Sequence, residues 1–165
     1  MIASIFERRY VVLAVIDAGV WAAWSALCGY FAHRLPARRL ARDRWLLRLG
    51  DPPARVVRRY ERRLRIKRWK RLLPEAGDLF AGGFSKRTVR QRDRAYFERF
   101  VVETRRAELT HWLVAAIGPL FFLWNPWWLA TVMLGYAVVA NVPCLLAQRY
   151  NRARLLRLLG RISTP

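Results

Sequence analysis

Residues that build metal sites and disulfide frameworks are rare in this sequence. It has two cysteines and two histidines, and the thiols of Cys28 and Cys144 lie inside apolar runs far apart in the chain. Zinc binding needs clustered ligands, and a disulfide framework needs several paired cysteines. The sequence therefore predicts no metal site and no bound cofactor, with both thiols buried and unreactive.

Familiar catalytic motifs are missing as well. The sequence contains no Gly-x-Ser-x-Gly turn, no glycine-rich phosphate loop, and no His-x-x-x-x-Asp motif after His33 or His111. Any catalytic site must therefore combine polar groups from distant parts of the chain.

Acidic residues are scarce, and the charge is unevenly distributed. Eleven Asp and Glu face 31 Lys and Arg, which gives a formal net charge of +20. Residues 1–32 sum to zero, residues 33–110 carry +15 and residues 111–165 carry +5. Because 55% of the chain is hydrophobic, two apolar ends flank a cationic centre. This pattern excludes a uniformly disordered chain and a conventional soluble core.

The first apolar run covers residues 11–32. As a helix it would be roughly 33 Å long, enough to cross a hydrocarbon core of about 30 Å. The run is longer than the apolar part of a signal peptide and ends without a small-residue cleavage site. We predict a transmembrane helix, in which Asp17 either faces a partner or lies near the interface, and snorkelling is the favoured interpretation.

The second apolar run covers residues 112–147 and is interrupted by Asn125 and Pro126. Tryptophans surround this break, which predicts a turn at a membrane interface. Residues 127–147 can span a membrane. Residues 112–124 are shorter and contain Pro119, so full crossing and a re-entrant half both remain open. In either case the segment is a hairpin whose two ends lie on one side.

The basic residues predict the orientation. The loop between the two apolar runs and the tail after residue 148 are both rich in arginine, so both are expected in the cytoplasm, with the amino terminus outside. The expected fold is all-α, a small multi-pass membrane protein in three parts: an amino-terminal transmembrane helix (1–33), a basic amphipathic helical region (34–110), and a membrane hairpin with a basic tail (111–165).

The cationic centre predicts anionic partners. A helix is expected over residues 54–73, and its scattered apolar positions suit a helix that lies on a membrane or contacts two surfaces. Anionic phospholipid is the expected partner, because each basic residue near such a surface contributes on the order of 1 kcal/mol. A phosphorylated pantetheine carrier is the alternative. Nucleic acid is not expected, since no binding motif is present.

Candidate catalytic residues precede the hairpin. At 100° per residue, Glu103 and His111 lie on one side of a helix, and Glu108 is one turn before His111. A histidine paired with a carboxylate can take a proton from an alcohol, which is the chemistry of acyl transfer to a hydroxyl. Glu103 is too far from His111 and is expected to orient Arg106 or a substrate hydroxyl. The alternative is that His111 only caps the helix while Glu108 pairs a nearby arginine.

Polar residues also mark the returning limb of the hairpin. Asn141, Gln148 and Arg152 share one helical face, and an amide at membrane depth should point into protein. Hairpin geometry places this limb beside His111, which predicts one polar site built from both limbs. Interhelical hydrogen bonding with a solvated basic tail is the alternative.

Three segments resemble the glycosyl-4,4'-diaponeurosporenoate acyltransferase family: residues 67–77, residues 103–112, and residues 140–143 together with 148–155. The resemblance implies a bacterial cell-membrane enzyme that esterifies a fatty acyl group onto a sugar hydroxyl of a glycosylated carotenoid. It also implies functional roles for ten residues, which are Glu103, Arg106, Glu108, His111, Asn141, Gln148, Arg149, Tyr150, Asn151 and Arg152.

The combined hypothesis assigns a role to each group. His111 is the general base and Glu108 orients it. Arg106 with Arg149 or Arg152 binds donor phosphates, and Asn141 or Gln148 hydrogen-bonds the sugar or the oxyanion. The donor is acyl-CoA or acyl carrier protein, and the acceptor is a lipid-embedded glycoside. A non-catalytic membrane adaptor that binds anionic lipid is the alternative function.

Overall fold

The computed structural model describes residues 2–42, 45–73 and 94–162, with side chains described from Arg8 onward in the first helix. Throughout these ranges the chain forms helices and turns without strands, which confirms the predicted all-α fold. The α-helices are α1 (Ile2–Arg34), α2 (Ala37–Leu40), α3 (Pro53–Arg63), α4 (Ile66–Trp69), α5 (Arg94–Ala115) and α6 (Trp127–Ile162), with short 3-10 helices at Trp45–Leu47, Lys70–Leu72 and Gly118–Leu123.

Two of the described helices are long and apolar enough to cross a membrane, namely the Arg8–Arg34 part of α1 and α6. Their surfaces carry large exposed apolar side chains such as Val15 and Val139. At 1.5 Å per residue α6 is about 54 Å long, well beyond a hydrocarbon core of about 30 Å. The returning limb and the basic tail are therefore one continuous helix. The expected boundary between residues 110 and 111 falls inside α5.

The hairpin turns where its sequence predicts a break. Helix α5 ends at Ala115, and Gly118–Leu123 continues as a 3-10 helix with Pro119 in its first turn. Gly118 lies against α6 so closely that a β-carbon there would be 2.9 Å from Cβ of Ala137. Glycine is therefore needed at this crossing. Asn125 and Pro126 then reverse the chain into α6.

Helix α1 runs antiparallel to the outgoing limb of the hairpin. The indole of Trp24 donates to the carbonyl of Leu113 at 2.9 Å, and Trp21 stacks on Phe121 with ring centroids 5.4 Å apart. Trp21, Phe121 and Ala137 belong to one buried apolar cluster. This cluster joins α1 to both limbs of the hairpin.

The basic region packs on the far end of α6, but the single helix predicted over residues 54–73 is wrong. Arg65 has a φ of 47°, which ends α3 and starts α4 in a new direction. The turn lets Ile66 pack with Val57 of α3 and Tyr150 of α6 in a second buried cluster. The scattered apolar pattern thus reflects two short helices with separate buried faces. The resembling residues 74–77 lie outside the described ranges.

Candidate active site

The site lies where α5 and α6 pack against each other. The imidazole of His111 on α5 is half-buried, and its Nδ1 is 3.0 Å from Oδ1 of Asn141 on α6. The Nδ2 of Asn141 donates to the carbonyl of Ala137 at 2.9 Å. This second bond orients the amide, so Oδ1 must accept a hydrogen bond from Nδ1 of His111. Nδ1 then carries the hydrogen, and Nε2 presents a lone pair.

The surroundings of His111 keep the imidazole neutral. Burial lowers the pKa of His111 from its ordinary value of 6.5, and the hydrogen bond that His111 donates to Asn141 opposes this shift only partly. Desolvation disfavours the charged imidazolium. At neutral pH the ring is therefore an unprotonated base, as proton abstraction requires.

Glu108 does not orient His111, and this prediction is wrong. Its Oε1 accepts from Nε of Arg149 and its Oε2 from Nη1 of Arg152, both at 2.5 Å. Glu108 and Arg152 are fully buried. Asn141 holds the imidazole in place of Glu108. The alternative from the sequence, in which Glu108 pairs an arginine, describes this carboxylate correctly.

The arginines of this ion pair also bind the loop between α2 and α3. Nη2 of Arg149 donates to the carbonyl of Leu46 at 2.7 Å, and Nη2 of Arg152 donates to the carbonyl of Leu47 at 2.6 Å. We call Glu108, Arg149 and Arg152 the Glu108 network. Arg152 is enclosed, whereas 27% of the Arg149 side chain is exposed. Of these two cations, Arg149 is the one that a ligand can reach.

Arg106 holds the end of α1 and not a donor phosphate. Its guanidinium donates to the carbonyl of Ala32, to that of His33 at 3.0 Å and to that of Leu35 at 2.9 Å. Its Nε pairs with Glu103 at 3.1 Å, as the sequence predicted for that carboxylate. Cations stabilise helix carboxyl ends because they neutralise unpaired carbonyls there. The predicted phosphate role therefore does not fit Arg106.

Tyr150 and Asn151 face the basic region, on a different side of α6 from Asn141. The hydroxyl of Tyr150 donates to Glu61 of α3 at 2.8 Å, and Lys70 donates to Oδ1 of Asn151 at 3.0 Å. Hydrogen bonds from Lys67 and then from Tyr150 lower the pKa of Glu61 below its ordinary value of 4.5. Tyr150 and Asn151 thus join α6 to the basic region, and the structure does not bring them to His111.

Gln148 has a side-chain amide that helix packing does not engage in the described part of the chain. It lies two turns after Asn141 on the same face of α6 and is half-buried. Within the described parts of the chain its amide has no hydrogen-bond partner. His111, Gln148 and the exposed part of Arg149 are therefore the groups that can meet a ligand. Sequence periodicity found this face because a helix repeats about every 3.6 residues.

Asp17 has two partners that the sequence interpretation did not identify. It is 1% exposed, and its Oδ1 accepts from Nε1 of Trp124 at 2.8 Å and from Nδ2 of Asn125 at 2.9 Å. The snorkelling interpretation is therefore wrong. The two residues at the hairpin turn were visible as polar partners in the sequence, but only the antiparallel packing of α1 brings Asp17 beside them.

In residues 2–42, 45–73 and 94–162 no group of three or more His, Cys, Asp or Glu side chains could hold a metal ion. The fold and the site together define a class: a small helical protein with two membrane-length helices and a neutral histidine held by an amide between its last two long helices. A family model for glycosyl-4,4'-diaponeurosporenoate acyltransferase matches residues 43–161. The chain therefore belongs to the glycosyl-4,4'-diaponeurosporenoate acyltransferase family.

Curated relatives support this membership. Proteins named glycosyl-4,4'-diaponeurosporenoate acyltransferase from Staphylococcus aureus strains USA300 and NCTC 8325 are each 32% identical to this chain over 94 residues. The matched part is 57% of this chain and 56% of each relative, so the chain spans just over half the length of the curated relatives it matches. No solved structure matches the chain.

Proposed function

We propose that this protein transfers a fatty acyl group from a thioester to a sugar hydroxyl of a membrane-embedded glycolipid. The observation that carries this proposal is the His111–Asn141 pair, which leaves Nε2 of His111 unprotonated and free to accept a proton. The names of the S. aureus relatives suggest a glycosylated carotenoid as the acceptor. The donor is acyl-CoA or acyl carrier protein, and no bound cofactor is required.

The proposed reaction is a single displacement. The sugar hydroxyl oxygen attacks the thioester carbonyl carbon while Nε2 of His111 takes the hydroxyl proton. The resulting oxyanion collapses, and the carbon–sulfur bond breaks. The leaving thiolate then takes the proton from the imidazolium, which returns the neutral base. The products are the acylated sugar and a free thiol, so protons and bonds balance.

The polar groups around His111 suit the charges that develop in this reaction. Gln148 has an amide that can donate to the oxyanion, and the exposed part of Arg149 adds a positive charge nearby. Stabilisation of developing charge by fixed donors is commonly the largest catalytic contribution. Arg152 and Arg106 act indirectly, because Nη1 and Nη2 of Arg152 and Nη1 of Arg106 donate to groups that hold helices and loops in position.

The proposed orientation has the amino terminus outside and the basic region and tail in the cytoplasm of a bacterial cell. His111 lies about one and a half turns after Arg106 along α5, and the guanidinium of Arg106 binds the carboxyl end of α1. The base would therefore sit at the inner leaflet, where a lipid-embedded acceptor meets a soluble donor. The exposed arginines of the basic region would bind anionic phospholipid, and nucleic acid is not a proposed partner.

The test is expression of the full chain in cells that make glycosylated 4,4'-diaponeurosporenoate without an acyltransferase for it. Mass spectrometry of lipid extracts should show the glycoside gaining one acyl chain. His111→Ala should lower product formation by about 100-fold or more, because a positioned general base contributes at least that much. His33→Ala is the matched control, since this other histidine is exposed at the end of α1.

Two results would count against the proposal. Unchanged product with a stably inserted His111→Ala variant would remove His111 as the base. A wild-type chain that inserts and yields no acylated glycoside would favour the adaptor alternative, in which the protein only binds anionic lipid.

A further inference from the structure

A basic cleft lies at the cytoplasmic end proposed for α6, between that helix and α3–α4. The cavity has a volume of about 300 Å³. Four cationic side chains line it, those of Lys67, Arg154, Arg157 and Arg161, together with the carboxylate of Glu61. We call these five residues the basic cleft. Its size is at the lower end of the range for small-molecule sites, which is about 300–1,000 Å³.

The charges inside the basic cleft are not balanced by the protein. Glu61 already accepts from Lys67 at 2.8 Å and from the hydroxyl of Tyr150 at 2.8 Å. Over the described ranges of the chain, neither Arg157 nor Arg161 has an acidic partner. Like charges at i, i+4 on a helix repel each other. An anion in the cleft would remove this repulsion.

The arginines of the basic cleft lie on a different face of α6 from the arginines of the Glu108 network. With 100° and 1.5 Å per residue, Arg157 lies about 160° around α6 from Asn141 and about 24 Å farther along its axis. Arg152 lies within about 20° of Asn141 on the same measure. The basic cleft therefore opens on the opposite face of α6 from His111 and is a separate site.

We propose that the basic cleft binds a phosphate-bearing group. The four cations of the cleft exceed its single carboxylate by three charges, and guanidinium groups bind phosphate oxygens in pairs. A phosphate monoester carries about −1.5 to −2 charges and three acceptor oxygens, and a phosphodiester headgroup carries a single negative charge, so either group offsets part of this excess. The phosphate can belong to a soluble thioester donor or to a phospholipid headgroup. The proposal does not depend on acyl transfer, because the cleft and the His111 site share no residue.

The test uses the purified full chain in neutral nanodiscs, with coenzyme A and phosphatidylglycerol as the two probes. Coenzyme A is titrated by calorimetry, and retained phosphatidylglycerol is measured by native mass spectrometry. The Arg157→Gln/Arg161→Gln variant should weaken binding of at least one probe by tenfold or more. The matched control is Arg58→Gln/Arg62→Gln, which removes two exposed arginines with the same spacing from α3, outside the cleft.

The two probes separate the sources of phosphate. Loss of coenzyme A binding in the cleft variant alone supports a donor phosphate, and loss of phosphatidylglycerol in that variant alone supports a headgroup. Equal weakening in both variants would show a nonspecific basic surface and overturn the proposal. Absence of binding in both arms, or binding that the cleft variant leaves unchanged, would overturn it too. Thermal unfolding of both variants checks that each is folded.

Discussion

The Glu108 network and the basic cleft contain the same kind of side chain in opposite settings. In the Glu108 network, Arg152 is fully buried and divides its donors between Glu108 and the carbonyl of Leu47. In the basic cleft, Arg157 and Arg161 are exposed and have no acidic partner in the described parts of the chain. Along α6, Arg157 lies only about one and a half helical turns beyond Arg152.

This contrast shows that arginine has two separate uses in one helix. A buried guanidinium needs a counterion and hydrogen-bond acceptors close by, because an unpaired buried charge is very costly. Such a group holds the structure together and is closed to ligands. An exposed cluster with excess charge contributes little to folding and remains open to an anion. Whether an arginine can bind an anion therefore depends on how deeply it is buried and on whether it is already paired.

The largest expected effect is the loss of the carboxylate at the centre of the Glu108 network. Glu108→Gln leaves the charges of Arg149 and Arg152 without a counterion, and breaking a buried pair typically costs about 3–5 kcal/mol. We expect a strong fall in the thermal unfolding temperature of the detergent-solubilised protein. Glu98→Gln on the same helix is the control, because Glu98 pairs with Arg94 in an exposed bridge worth at most about 1 kcal/mol. If both variants lost the same amount of unfolding temperature, the buried Glu108 network would be no more important for stability than an exposed bridge.

Asp17 tests a third setting, a buried carboxylate that has no cationic partner in the described part of the chain. Asp17→Leu leaves the donors of Trp124 and Asn125 unpaired, which should destabilise the hairpin turn by about 1–2 kcal/mol. The measurement is thermal unfolding, with Asp17→Asn as the conservative comparison because its amide oxygen can still accept. If Asp17→Leu unfolds at the wild-type temperature, the contact to the turn has no role in joining α1 to the hairpin.

The hydrogen bond between Asn141 and His111 is expected to affect the rate of acyl transfer. Asn141→Leu removes the acceptor that fixes the imidazole tautomer, and we expect roughly tenfold slower acyl transfer, the equivalent of one hydrogen bond of about 1.4 kcal/mol. Asn141→Asp keeps an acceptor and adds a negative charge, which favours the imidazolium. The two variants therefore separate positioning from charge.

The pH dependence of acyl transfer tests whether His111 is the base. Because burial lowers the pKa of His111 below 6.5, wild-type activity should stay high at pH 6.5 and fall only as acid protonates the ring at lower pH. The same shift makes folding weaker as pH falls from 6.5 through the lowered pKa, since the unfolded chain then binds more protons. Asn141→Asp should move the acid limb of activity upward. A limb that does not move would separate His111 from the proton transfer.

Periodicity and charge predicted much of this molecule, and the errors have one physical origin. The α1 segment, the turn at Asn125 and the shared face of Asn141 and Gln148 follow from local sequence, because helix period and proline act over a few residues. The partner of Glu108 does not. One turn away on its own helix lies His111, but α6 brings Arg149 and Arg152 closer, and only tertiary packing decides between them. Arg65 similarly divides a predicted helix because Ile66 gains a buried site.

The smallest expected effect concerns the one carboxylate of the basic cleft. Glu61→Gln removes an exposed ion pair with Lys67, whose side chain is 63% exposed, so the stability loss should be at most about 1 kcal/mol at pH 7. The pKa of Glu61 is lowered from 4.5 in the folded protein, so its contribution is present above that value and is lost as pH falls through the lowered pKa. The difference in unfolding temperature between wild type and Glu61→Gln should therefore shrink at acid pH, whereas phosphate binding at pH 7 should strengthen because the cleft gains positive charge. A variant that binds coenzyme A and phosphatidylglycerol no better than wild type, while Arg157→Gln/Arg161→Gln binds worse, would mean that Glu61 acts only through Lys67 and Tyr150 to join α3 to α6.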